Sequence, residues 1–175
     1  MLVVIYGGSC SGKSSFAEDY VCKSDYSKRY YLATMSASDE ESKKRIKRHQ
    51  ILRAGKGFET IECPVDVLSL VESGQLSKDS ILLLECMSNL VANEMFRDGR
   101  IVDADEVIAK VVKEVLALEN WVSCLTIVTN NVFEDGVDYD DITKEYLRAL
   151  GRINAILAKQ ADKVFEVIVG IGVKQ

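Results

Sequence analysis

Residues 7–14 read Gly7-Gly8-Ser9-Cys10-Ser11-Gly12-Lys13-Ser14 and fit the pattern G-x-x-x-x-G-K-[ST]. This stretch constrains the fold more than any other, because such a loop works only between a buried strand and the start of a helix. Both neighbours are present. Leu2 to Tyr6 is continuously apolar, as in a strand covered on both faces, and a helix is expected from about Lys13 to Cys22. The glycines let the backbone approach a phosphate chain and turn several N–H groups toward it. The helix N-terminus adds partial positive charge at the same place. Lys13 can reach the β- and γ-phosphates, and the Ser14 hydroxyl can ligate Mg²⁺. The chain is therefore expected to bind a nucleoside triphosphate with magnesium.

The rest of the chain alternates strand-like and helix-like runs. Further strands are expected at Arg29 to Thr34, Ser80 to Cys86, Cys124 to Thr129 and Val164 to Val169. Pro64 suits a first helical position, which places a helix over Val65 to Ser73. Asp103 to Trp121 sets Val107, Val111, Val115 and Leu118 on one face, and Asp141 to Gln160 does the same with Ile142, Tyr146, Leu150, Ile153 and Leu157. This alternation predicts an α/β fold with a mostly parallel, doubly wound sheet and helices on both faces, of the P-loop NTPase kind. With 175 residues, one Pro and no low-complexity linker, residues 1–175 are expected to form one domain.

Charge and composition narrow the function. A net charge of −5 argues against general nucleic-acid binding. No apolar run reaches the ~18 residues of a membrane span. Five cysteines with no C-x-x-C pair, and a single histidine, give neither a disulfide framework nor a zinc site. Scattered thiols suit a reducing cytoplasm.

A P-loop protein needs a second acid at the end of another strand. The best match is Glu85, which closes the apolar run Ile81 to Leu84. A guanine-reading Asn-Lys-x-Asp is absent, the nearest text being Thr129-Asn130-Asn131-Val132. Switch GTPases are thereby set aside. A small-molecule kinase, a nucleotidyl transferase and a nucleotide-binding regulatory protein stay open.

One segment breaks the pattern. Ser38-Asp39-Glu40-Glu41 reads as a capping box, and seven basic residues follow between Lys43 and Lys56. The helix is polar nearly all round, so it is not mainly a core element. It carries His49, the only histidine of the chain, with Arg45 and Arg53 four residues to either side on one face. Guanidiniums beside an imidazole favour its neutral, nucleophilic form, and they can hold phosphate oxygens. A neutral His attacking the α-phosphate of a triphosphate would give a nucleotidyl-His and release pyrophosphate.

Taken in order, these elements resemble the bifunctional adenosylcobinamide kinase/adenosylcobinamide-phosphate guanylyltransferase family of cobalamin biosynthesis. The resemblance rests on the GGSCSGKS loop, Tyr31-Leu32-Ala33-Thr34, Arg45-Ile46-Lys47-Arg48-His49, Thr60-Ile61-Glu62, Leu83-Leu84-Glu85-Cys86, Gly151-Arg152-Ile153-Asn154 and Val169 to Lys174. It implies two reactions. A γ-phosphoryl group passes from ATP or GTP to the aminopropanol hydroxyl of adenosylcobinamide. GMP then passes from GTP, through a guanylylated His49, to the new phosphate, giving adenosyl-GDP-cobinamide. The resemblance puts nucleotide contacts on Gly7 to Ser14, on Ala33, Thr34 and Met35, on Gln50, Ile51, Leu52 and Arg53, and on Glu62 and Glu85. It also implies a homotrimer. Where the family has Thr-Asn-Glu-Val-Gly, this chain has Thr129-Asn130-Asn131-Val132-Phe133.

Overall fold

A computed structural model describes residues 1–36, 40–133 and 136–175, and within the helix at 40–53 it leaves the side chains of Arg45 and Leu52 undescribed. Seven strands form one sheet in the order β3-β2-β4-β5-β1-β6-β7. The strands are β1 (Leu2–Gly7), β2 (Lys28–Ala33), β3 (Phe58–Glu62), β4 (Ser80–Glu85), β5 (Cys124–Asn130), β6 (Lys163–Ile168) and β7 (Ile171–Lys174). All pairings among β1 to β6 are parallel, and β7 runs antiparallel to β6. The helices are α1 (Lys13–Cys22), α2 (Glu40–Arg53), α3 (Ser69–Glu72), α4 (Met87–Met95), α5 (Ala104–Trp121) and α6 (Asp141–Gln160). The expected doubly wound α/β architecture is the observed one.

The two faces are covered unequally. Leu2, Val4, Leu32, Leu82, Leu84, Leu125 and Ile127 pack against α4, α5 and α6, where Val107, Val111, Val115, Leu150 and Ile153 are buried. Each such side chain contributes roughly 1.5–3 kcal/mol when fully buried. On the opposite face Val3, Ile5, Tyr31, Ile81 and Leu83 meet α1 through Ala17 and Val21, with Phe16, Tyr20, Phe58 and Phe165 filling around it. Bulky aromatic rings compensate there for having a single helix.

Four elements differ from expectation. The edge strands β3 and β7 are additional, and so is α4. The helix expected after Pro64 shrinks to Ser69–Glu72, because Asp66 takes a left-handed φ of 51°. That conformation cannot continue a right-handed helix. Asp66 instead joins an ion cluster. Lys110 Nζ lies 2.6 Å from Asp66 and 2.5 Å from Glu94, and Arg97 lies 2.7 Å from Asp66. The Arg97 hydrogen bond, with Lys110 behind it, holds the Asp66 carboxyl down at about 2. Although Asp66, Glu94 and Glu114 come close enough together to ligate a metal, Lys110 already occupies the charge there.

The β6–β7 hairpin braces the phosphate loop. Its turn residue Gly170 donates its N–H to the Ser11 carbonyl at 2.7 Å. At Gly172 an added Cβ would come within 2.2 Å of the Phe16 ring, which is held against Phe165 at a centroid distance of 5.5 Å. Gly172→Ala is therefore expected to destabilise the protein by about 1–3 kcal/mol, as overpacking does. Urea unfolding of the variant beside the wild type measures this, and an unchanged midpoint would show that the hairpin yields freely.

Candidate active site

The phosphate loop is built as its sequence demands. Gly12 takes φ +87° and stands as N-cap of α1, with its Cβ position only 3.0 Å from Gly170 Cα. No side chain caps this helix. The first intrahelical bond runs from Phe16 N–H to the Gly12 carbonyl, so the preceding N–H groups of α1 face the loop. Lys13 is buried, and its ammonium donates to the Gly8 carbonyl at 2.9 Å. Ser9 and Cys10 are exposed on the loop's outer turn, and Cys10 has φ 56°. The Ser11 hydroxyl is buried without a hydrogen-bond partner.

Ser14 connects the loop to the next strand end. Its hydroxyl donates to Glu85 Oε1 at 2.7 Å. Glu85 lies partly open as a residue, but Oε2 of its carboxylate is enclosed and has no partner. Burial pushes the Glu85 carboxyl up to about 7, against the opposing Ser14 hydrogen bond and the Lys13 charge. An unsatisfied carboxylate oxygen beside a serine hydroxyl is a donor set of the hard, oxygen-only kind that suits Mg²⁺.

Glu85 also lines a cleft at the C-terminal ends of β2, β3 and β4. Ala33, Met35, His49, Gln50, Arg53 and Glu62 line the same cleft, so seven of the expected contacts gather around one space. Arg53 is buried. Its guanidinium lies 3.6 Å over the Tyr31 ring and donates to the Thr60 hydroxyl at 3.2 Å. This stacking is a cation–π contact, favourable where water is excluded. Lys56 anchors the end of the same segment to α1 through an ion pair of 2.6 Å with buried Glu18.

Two expected contacts fall elsewhere, and a third is not described. Ile51 is 65% exposed and lines a shallow groove with Lys44, Lys47 and Arg48, on the side of α2 away from the cleft. Thr34 is fully buried and is used by the fold, its hydroxyl donating to the Cys86 carbonyl at 2.8 Å. The Leu52 side chain lies outside what is described, as do the Arg45 side chain and the expected cap at Ser38-Asp39. Conversely Tyr31, Thr60, Cys86 and Asn89 line the cleft without having been expected there. Burial raises the Cys86 thiol, so it stays protonated and is a poor nucleophile. Burial, with the Glu85 charge next, also raises the Tyr31 phenol far above its usual range. The His49 imidazole lines the same cleft.

Comparison with known proteins gives the family. The family described as cobinamide kinase / cobinamide phosphate guanyltransferase, CobU, matches residues 3–175. The bifunctional adenosylcobalamin biosynthesis protein CobU of Escherichia coli (strain K12) is 30% identical over 183 residues, covering 99% of both chains. The protein of the same description from Salmonella typhimurium is also 30% identical over 99% of both chains. CobP of Pseudomonas aeruginosa is 24% identical, covering 96% of this chain and 93% of its own. Among solved structures, the RadB recombinase superposes with a TM-score of 0.52 at 14% identity, over 94% of this chain and 73% of that one. A protein from Pyrococcus horikoshii OT3 gives 0.54 at 12% identity, over 99% and 84%. These two likenesses show the fold alone.

The raised Glu85 carboxyl has a consequence for stability. A carboxyl near 7 when folded and near 4.5 when unfolded binds more protons in the folded state between those values. Its ionisation therefore costs stability progressively above pH 4.5, with the cost complete above 7 and amounting to about 3 kcal/mol. Glu85→Gln should raise the melting temperature by several degrees at pH 8 and leave it nearly unchanged at pH 4.5, without nucleotide or magnesium. Thermal unfolding at the two pH values checks this, and equal shifts at both would show that ionisation is not the cause.

Proposed function

The chain belongs to the CobU family of cobinamide kinases / cobinamide phosphate guanyltransferases, and from that membership we propose how its own residues divide two reactions. The protein phosphorylates adenosylcobinamide and then transfers GMP to the phosphate it has made. The observation that carries the division is that His49, Gln50 and Arg53 share one cleft with Glu85, which is itself bonded to the phosphate-loop serine.

In the first reaction the acceptor hydroxyl oxygen attacks the γ-phosphorus of ATP or GTP. The bond to the bridging oxygen breaks, and the nucleoside diphosphate leaves. The N–H groups at the start of α1 hold the phosphates, and the Lys13 ammonium meets the γ-phosphoryl oxygens. Mg²⁺ would be held by the Ser14 hydroxyl and by Glu85, and when bound it neutralises charge on the phosphate oxygens.

In the second reaction an imidazole nitrogen of His49 attacks the α-phosphorus of GTP. An N–P bond forms, the bond to pyrophosphate breaks, and pyrophosphate leaves with the electron pair. A phosphate oxygen of adenosylcobinamide phosphate then attacks the same phosphorus, which frees His49 and forms adenosyl-GDP-cobinamide. Arg53, held flat by Tyr31, presents a fixed cation to the phosphates. Gln50 and the exposed Glu62 stand at the rim to meet the sugar or the base.

We also propose that the active form is a homotrimer in the cytoplasm. Exposed Ile168, Val169, Ile171 and Val173 along the β6–β7 hairpin support self-association. Five unpaired thiols fit a reducing compartment. No helix among the described residues is long and apolar enough to cross a membrane.

Incubation with α-labelled GTP and magnesium, followed by a denaturing gel, tests the His49 assignment. The wild type should carry an acid-labile, base-stable label that His49→Ala lacks. No label on the wild type, or label persisting on His49→Ala, would overturn it. In the kinase assay Lys13→Ala should lose at least ~100-fold in kcat, the scale for removing a transition-state charge contact. Retained turnover would remove Lys13 from the mechanism.

A further inference from the structure

A second cavity, of about 650 Å³, lies between α6 and the β5–β1–β6 part of the sheet. It is on the sheet face opposite α1, since Val4 lines it while Val3 and Ile5 pack toward α1. Its size is that of a small-molecule site. It adjoins the phosphate loop directly. Tyr6 lines it just before Gly7, and the Asn131 N–H donates to the Gly7 carbonyl at 2.9 Å.

The lining is chemically selective. Among the described residues it holds no Lys or Arg, so these do not suit a second phosphate chain. Its polar groups are mainly carboxamides, among them Asn131, Asn154 and Gln175, set beside the apolar walls of Phe133, Ala158 and Val164. The Asn154 Oδ1 accepts from the Thr129 hydroxyl at 2.8 Å, which fixes the amide at the cavity wall. Among the described lining residues the charged side chain is Glu166. Neutral amide donors and acceptors on an apolar wall, with the Glu166 carboxylate, complement a macrocycle that is apolar in its ring, fringed with carboxamide arms and cationic at its metal.

We propose that this cavity takes one amide-fringed edge of the corrinoid, holding the aminopropanol arm toward the phosphate loop. This rests on the family reading above and adds where the acceptor is held. Asn154 and Asn131 are thus assigned as corrinoid-binding residues.

Steady-state phosphorylation of adenosylcobinamide tests the assignment with two variants of different kind. Asn154→Ala removes the amide, and Ala158→Phe fills the cavity from its half-buried wall without touching a polar contact. Each should raise KM for adenosylcobinamide about tenfold while kcat and KM for GTP stay within about twofold, the pattern of lost ground-state binding. Equilibrium dialysis of the coloured corrinoid without nucleotide should show the same loss. If the wild type phosphorylates adenosylcobinamide and both variants keep its KM, the cavity assignment is overturned and the family reading stands. If the wild type neither binds nor phosphorylates adenosylcobinamide, the family reading itself fails.

Discussion

The hydrogen bond from Ser14 to Glu85 joins residues 71 positions apart, and the chemistry depends on it. It fastens the first turn of α1 to the end of β4, so the phosphate loop and the His49 cleft share one boundary. A buried carboxylate is costly unless its lone pairs are satisfied. Here only Oε1 is satisfied, and the cost appears as a carboxyl pushed up to about 7. On the proposed reading, the fold keeps this unfavourable group because it would supply what a hard cation needs. Lys13 and Arg53 lower the cost from either side without removing it. Stability is thereby traded for a poised site, as is common where function sets the geometry.

Helix α2 is the counterpart of that rigid junction. Among its described residues few apolar side chains are buried, and Ile51 is exposed. At its C-terminal end Arg53 lies on Tyr31, and just beyond the helix Lys56 reaches Glu18. A helix held this way draws little of its stability from the core. Phosphate binding by Gln50 and Arg53 can then contribute to fixing the position of His49. On the proposed reading, the cations that make α2 a poor core helix suit it to hold a triphosphate.

Much of this was legible in the sequence where a local pattern and a structural demand coincide. Leu2 to Tyr6 is apolar throughout because β1 is buried on both faces, and the Val107–Val111–Val115–Leu118 stripe is the buried face of α5. The missed strands are both edges. Phe58–Glu62 pairs only with β2 and keeps Glu59, Thr60 and Glu62 exposed, so neither an apolar run nor a clean alternation marks it. Ile171–Lys174 has four residues, two of them Gly and Lys. Helix α4 turns Ser88 and Glu94 inward to serve hydrogen bonds and ion pairs, which obscures its periodicity. In the site, the phosphate loop and Glu85 follow from spacing alone. The Arg53–Tyr31 stack does not, because it joins two residues through the pairing of β2 with an edge strand that the pattern does not reveal. The family resemblance put Ile51 among the contacts, yet one residue's rotation from Gln50 carries it to the outer face.

The choice of nucleophile also looks different once the cleft is assembled. The sequence suggested that flanking guanidiniums keep His49 neutral. In the folded chain Arg53 is committed to Tyr31 and Thr60, so its first role is to hold phosphate in a fixed place. What singles out the imidazole is the state of its competitors. Cys86 and Tyr31 are held protonated by burial, and a protonated thiol or phenol must shed a proton before it can attack. An imidazole attacks through a lone pair it already has and becomes a good leaving group once phosphorylated. On the proposed mechanism, a cleft that suppresses thiolate and phenolate leaves His49 to take the guanylyl group. On the same proposal, the burial that raises those groups would also shield an N–P bond from water.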